Sequence, residues 1–117
     1  MEKCFLEEEV IVREESKSHL RKSLRLLHQL NLVHCDIKPE NIAFSPSFHQ
    51  PVFIDFGSCR LLPKGPGHKM LTSFTGTLST CSPEMTALYI RKELGYVDLY
   101  HNDAYSLSHS HLGDPNH

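Results

Sequence analysis

The sequence predicts an α+β fold, mainly helical, with one short two-stranded β-hairpin. Three patterns point there. Leu20, Leu24, Leu27 and Leu30 recur at steps of four, three and three within a polar stretch, the spacing of a helix with one apolar stripe. Two short apolar segments, Ile42-Ala43-Phe44 and Val52-Phe53-Ile54, flank a run of turn formers from Ser45 to Pro51, as in a pair of strands joined by a loop. Met85 to Leu94 then reads as a second, shorter helix ending near Gly95.

In chain order, an acidic start (Glu2, Glu7, Glu8, Glu9, Glu14, Glu15) is broken by Val10-Ile11-Val12. The first helix is expected from Ser16 to Leu32, capped by Ser16 or Ser18 and stopped at Asn31. Lys17, Arg21, Lys22 and Arg25 fill much of its other face. After the hairpin, Leu62 to Thr80 carries Pro63, Gly65, Pro66, Gly67 and Gly76 among Ser and Thr. That composition predicts a long loop, and long loops in small domains tend to carry function. Residues 1–108 are expected to form the domain and 109–117 a polar, frayed tail.

Composition narrows the class. The 117 residues suit one domain, with 39% apolar and 22% charged residues, too apolar for a disordered chain. Twelve Lys and Arg against fourteen Asp and Glu give a formal charge of −2, so no long-range field selects nucleic acid as a partner. Four cysteines stand apart at positions 4, 35, 59 and 81, without the density of a disulfide framework. No apolar run approaches the ~20 residues that cross a bilayer. A reduced, intracellular and cytoplasmic protein without a membrane segment is the expectation. His109 and His111 lack further ligands nearby, so no metal site is expected there.

Three clusters carry the chemistry. His34-Cys35-Asp36-Ile37-Lys38-Pro39-Glu40-Asn41 follows the first helix, Asp55-Phe56-Gly57 ends the second strand, and Gly76-Thr77 precedes Ser82-Pro83-Glu84 after the long loop. Taken singly, Asp36 reads as a solvated loop carboxylate and Asn41 as a turn residue. In this order and spacing, the clusters resemble the catalytic loop, the Asp-Phe-Gly triplet and the end of the activation segment of eukaryotic protein kinases. The resemblance runs from about Leu20 to Ser108 and implies a partial kinase C-lobe whose hairpin carries the catalytic loop and the triplet.

It implies transfer of the ATP γ-phosphoryl group to a Ser or Thr hydroxyl of a protein substrate, with ATP and Mg²⁺ as cofactors. Asp36 matches the carboxylate that orients the hydroxyl and accepts its proton, and Lys38 the cation that neutralises the transferred phosphate. Asn41 and Asp55 match the metal ligands, offering the hard oxygens Mg²⁺ prefers. Thr77 matches the Thr that touches the catalytic Asp; with Lys38-Pro39-Glu40-Asn41 it resembles the Ser/Thr branch. His34, Phe56, Gly57, Glu84 and Asp103 match structural positions: His34 and Phe56 as packed core residues, Asp103 as an anchor for the catalytic-loop backbone. Asp103-Ala104-Tyr105-Ser106-Leu107 resembles the start of the central C-lobe helix.

Departures from the pattern matter as well. Cys35 stands where the family has Arg, the residue that pairs with a phosphorylated activation segment. Activity is therefore expected not to require phosphate on Thr72, Ser73 or Thr75. Ser82 stands for Ala, and the interval from Glu84 to Asp103 implies an insertion. No Gly-x-Gly-x-x-Gly loop or Val-Ala-x-Lys strand is present. Met1 to Cys4 faintly resembles the hinge, so the chain is expected to lack the N-lobe, to be weak in isolation and marginal in stability, with the partner completing the fold unknown. Glu84, without its usual Arg, is expected to be exposed or satisfied by another partner. The alternative reading is a catalytically inactive, pseudokinase-like protein-binding module.

Overall fold

The leucine stripe does form a helix, α1 (Arg13–Gln29), in a computed structural model that describes residues 3–4, 13–47 and 50–110. Leu20 and Leu24 are buried and Leu27 packs beside them. The helix begins earlier and ends earlier than its periodicity predicts. Ser16 lies inside it and is buried, so neither Ser16 nor Ser18 is the cap. Leu30 lies beyond the last turn and is 66% exposed, because Asn31 adopts φ 63° and turns the chain away. Asn is one of the few residues that takes this left-handed conformation readily.

Short strands surround α1. β1 (Lys3–Cys4) is followed by β2 (Leu32–Val33), a single 3-10 turn at Pro39–Asn41, β3 (Ile42–Ser45) and β4 (Gln50–Phe53). β3 and β4 form the expected hairpin with shifted bounds, since Ser45, Gln50 and Pro51 join the strands and Ile54 falls outside them; Ile42 lies opposite Phe53 and Ser45 opposite Gln50. β1 pairs antiparallel with β3, which makes β4 an edge of the sheet. Pro51, with no N–H to donate, suits that edge. β5 (Arg60–Leu61) pairs antiparallel with β2, setting Arg60 opposite Val33.

The long loop holds a strand that its composition conceals. β6 (Met70–Thr72) leads on to α2 (Pro83–Arg91), then β7 (Gly95–Val97) and α3 (Leu99–Ser108). β6 and β7 pair antiparallel, so the expected uninterrupted loop from 62 to 80 is corrected. α2 ends three residues before the expected Leu94, at Arg91, where Lys92 turns left-handed with φ 56°. Ser82 caps its start by accepting from the Met85 N–H, and Asp98 caps α3. Ser110 is buried and donates to the Ser106 carbonyl; residues 111–117, His111 among them, lie outside the described residues.

Two apolar clusters form the core. One gathers Val33, Cys35, Leu62, Met85, Leu88 and Leu99. The other gathers Leu20, Leu24, Ile37, Ile42, Phe53 and Leu107. The segment His34–Asn41 runs between them, Cys35 sinking into the first and Ile37 into the second. Asp36 and Lys38, the residues between and after, remain partly exposed. The burial of Cys35 and Ile37 fixes the backbone on either side of Asp36 and leaves Asp36 and Lys38 on the accessible side. Among the described residues, no helix is long and apolar enough to cross a membrane.

Candidate functional site

The site begins with the backbone after β2. Cys35 has φ 74°, a conformation that costs a non-glycine residue about 1–2 kcal/mol. The cost is offset by a carboxylate from α3: Asp103 Oδ1 accepts from the Cys35 N–H at 2.9 Å, and Oδ2 from the His34 N–H at 2.8 Å. Asp103 is fully buried. Its third partner is His28 of α1, whose Nε2 lies 3.0 Å from Oδ2. One side chain of α3 thus ties down the loop and the helix that precedes it.

His34 carries the tie onward. Its Nδ1 accepts from the Asp36 N–H at 3.1 Å, so Nε2 bears the proton and donates to the Ile54 carbonyl at 3.0 Å. Ile54 in turn donates its N–H to the Asn41 carbonyl at 2.8 Å. The backbone just before Asp55 is therefore fixed to both ends of the His34–Asn41 segment.

Four polar side chains meet in front of this frame. Asp36 Oδ1 accepts from Thr77 Oγ1 at 2.8 Å, across 41 residues of sequence. Lys38 Nζ donates to the same Thr77 oxygen at 2.9 Å and stands 3.8 Å from Asp36 Oδ2. Asn41 Nδ2 donates to the Asp36 carbonyl at 2.9 Å, with a longer contact to Oδ2 at 3.4 Å. Asp36, Lys38, Asn41 and Thr77 form one hydrogen-bonded group. Gly76, with φ 97°, lets the chain carry Thr77 in: a Cβ there would stand 2.6 Å from the Cys35 carbonyl oxygen, closer than atoms tolerate.

Asp55 is held differently. It is exposed and has φ 58°, and among the described residues its Oδ1 accepts a long 3.3 Å bond from the Gly57 N–H and no other. That leaves carboxylate oxygen free for a ligand. The Asn41 side-chain oxygen is likewise left over once its nitrogen has bonded Asp36. A carboxylate and an amide oxygen suit Mg²⁺, which binds through one or two protein oxygens together with phosphate and water. Among the described residues, no cluster of three His, Cys, Asp or Glu makes a metal cage.

Two expectations need separate treatment. Phe56 is not a core residue: it is 45% exposed, and its ring makes a tilted contact with the His34 ring at 4.9 Å. It follows the left-handed Asp55, which swings the chain outward. Glu84 is exposed in the first turn of α2, where a carboxylate is favoured by the helix dipole.

The sequence reading missed His28, Arg60 and Asn102. His28 meets Asp103 across 75 residues, and Asn102 Oδ1 accepts from the Ser82 N–H at 2.9 Å. No local pattern announces either contact. Arg60 donates to Thr72 Oγ1 at 3.0 Å. The Cys35 thiol beside it is pushed up to about 12, chiefly by burial and then by the Asp103 carboxylate.

The sequence profile of the protein kinase domain matches residues 2–109. Serine/threonine-protein kinase D of Synechocystis is 35% identical over 74 residues, 60% of this chain and 15% of the relative. Serine/threonine-protein kinase dkf-2 of Caenorhabditis briggsae is 38% identical over 71 residues, 58% of this chain and 6% of that protein. The inhibitor of nuclear factor kappa-B kinase subunit beta of Bos taurus is 36% identical over 70 residues, 58% of this chain and 9% of the relative. The chain thus spans a small part of the length of each of these relatives.

Proposed function

Because the chain belongs to the protein kinase family, we propose that it carries the phosphoryl-transfer site of a serine/threonine kinase on a C-lobe scaffold. The observation that carries the proposal is the convergence of Thr77 Oγ1 on both Asp36 Oδ1 and Lys38 Nζ.

In this reading, the oxygen of a substrate Ser or Thr hydroxyl forms a bond to the γ-phosphorus of ATP. The bridging oxygen leaves with ADP, and the hydroxyl proton passes to the Asp36 carboxylate. Thr77 occupies Oδ1 and leaves Oδ2 as the acceptor. Lys38, 3.8 Å from that oxygen, opposes the negative charge on the transferred group; such fixed charge is the main catalytic resource in phosphoryl transfer. Asn41 and Asp55 would hold Mg²⁺, which supplies further charge neutralisation on the phosphates.

The activation segment is read as ordered without phosphate. Thr72 is buried, and its hydroxyl donates to the Ser73 carbonyl while accepting from Arg60. Cys35, neutral across the physiological range, supplies no cation for a phosphate.

The test is transfer of labelled phosphate from Mg-ATP to a generic Ser/Thr substrate, with Asp36→Asn as control. Turnover by the wild-type chain that is abolished in the variant supports the reading. Turnover no higher than the variant's overturns it.

A further inference from the structure

Thr77 can meet Asp36 only if the turn that carries it is held in place, and the structure shows what holds it. The N–H groups of Thr80 and Cys81 both bond to the Thr77 carbonyl, at 3.1 and 2.9 Å. The far end of this turn is attached to α3 at two points. Asn102, 1% exposed, accepts from the Ser82 N–H through Oδ1 at 2.9 Å. Ser106, one helical turn further on, donates its hydroxyl to the Thr80 carbonyl at 2.7 Å.

Asn102 is next to Asp103, which holds His34 and Cys35. Neighbouring residues of one helix therefore grip the two loops whose side chains meet at the site. A helical backbone has little give, so the spacing between the two grips is rigid. Ser82 also caps α2, so the same N–H bond orients the helix that follows.

We propose that Asn102 is a positioning residue for phosphoryl transfer, setting where Thr77 lies against Asp36 by holding the Ser82 end of its turn. It acts through Ser82 and Thr77 and touches no reacting atom. The inference rests on the reading of Asp36 and Thr77 given above. Its structural half, the coupling of α3 to the turn, is measured separately from turnover.

The experiment is amide hydrogen exchange on the full chain, comparing wild type with Asn102→Leu, which fills the same space without an acceptor. Exchange at Thr80, Cys81 and Ser82 is expected to rise about tenfold or more through local opening. The amides of His34 and Cys35, held by Asp103, are expected to keep their wild-type protection. Ser106→Ala, which deletes only a hydroxyl, serves as a second variant and is expected to loosen Thr80 and Cys81 in the same direction. Unchanged exchange at 80–82 in both variants overturns the inference. So does an equal rise at 34–35 and 80–82, which would mark Asn102 as a general stabiliser of the domain. In the phosphate-transfer assay Asn102→Leu is expected to lower kcat roughly tenfold with KM near the wild-type value, and an unchanged kcat overturns the positioning role. Absence of transfer by the wild-type chain counts against the function and leaves the exchange results to decide the coupling.

Discussion

Thr77 and Asp36 are joined by a 2.8 Å hydrogen bond between side chains 41 residues apart. The donor is a hydroxyl and the acceptor a carboxylate, the kind of bond whose net worth is about 1.5–3 kcal/mol. Thr77→Val keeps the shape and removes the donor. It is expected to lower phosphate-transfer kcat/KM roughly 10- to 100-fold, whereas Thr77→Ser retains most of it. Steady-state kinetics of the two variants side by side checks this.

Asp36→Asn removes the proposed proton acceptor without changing size. Loss of a general base costs about 10²–10⁴-fold in rate. Because Asp36 is partly exposed and tied mainly to polar neighbours, its thermal midpoint is expected to stay close to wild type. A large fall in midpoint would show that the residue's role is in folding.

Asp103→Ala is expected to be among the most damaging single changes for stability. It strands the buried N–H groups of His34 and Cys35 and deprives His28 of its partner. Each orphaned donor costs roughly 1–3 kcal/mol, a large fraction of the ~5–15 kcal/mol by which domains are stable. Urea denaturation is expected to show a midpoint far below that of Glu84→Ala, since Glu84 is exposed.

Gly76→Ala forces a Cβ to within 2.6 Å of the Cys35 carbonyl oxygen at φ 97°. A backbone oxygen cannot step aside like the tip of a flexible side chain. The substitution is expected to lower the thermal midpoint and to reduce phosphate transfer together, because displacing Gly76 displaces Thr77. Unchanged activity would mean the approach of these two backbones is dispensable.

Cys35 gives a pH signature. Burial and Asp103 raise its thiol pKa in the folded chain to about 12, above the ~8.5 of an unfolded cysteine. A raised pKa means the folded state keeps a proton that the unfolded state has lost. Its contribution is whole below the unfolded value and is lost as pH rises from there towards the folded one. Between pH 8 and 10 the stability of wild type is expected to fall more steeply than that of Cys35→Ala, read from urea midpoints. Native Cys35 is also expected to resist iodoacetamide at pH 8, while Cys59, only partly buried, reacts first.

Much was legible in the order of the residues, and the exceptions share a cause. Leu20 and Leu24 are buried where their spacing puts them, and the hairpin lies where two apolar runs flank turn formers, since periodicity and turn chemistry are local properties. Leu30 shares the stripe's spacing but is exposed, because the helix stops before it and spacing says nothing about where a chain turns. Phe56 looks like a core residue by type, yet the left-handed Asp55 before it carries it outward. β6 is hidden in a glycine- and proline-rich stretch because what makes it a strand is β7, more than twenty residues later.

The sequence alone determined which chemical groups were available: a carboxylate, an ammonium and an amide close together at 36, 38 and 41, a second carboxylate at 55, and a neutral thiol where the family has a cation. The tertiary structure decided which of them meet. Thr77 reaches Asp36 because Gly76 can pass the Cys35 carbonyl, and the loop keeps its left-handed bend because Asp103 accepts its N–H groups from a distant helix. Those contacts join residues far apart in the chain, so their energies depend on how all the intervening elements pack and appear in no local pattern.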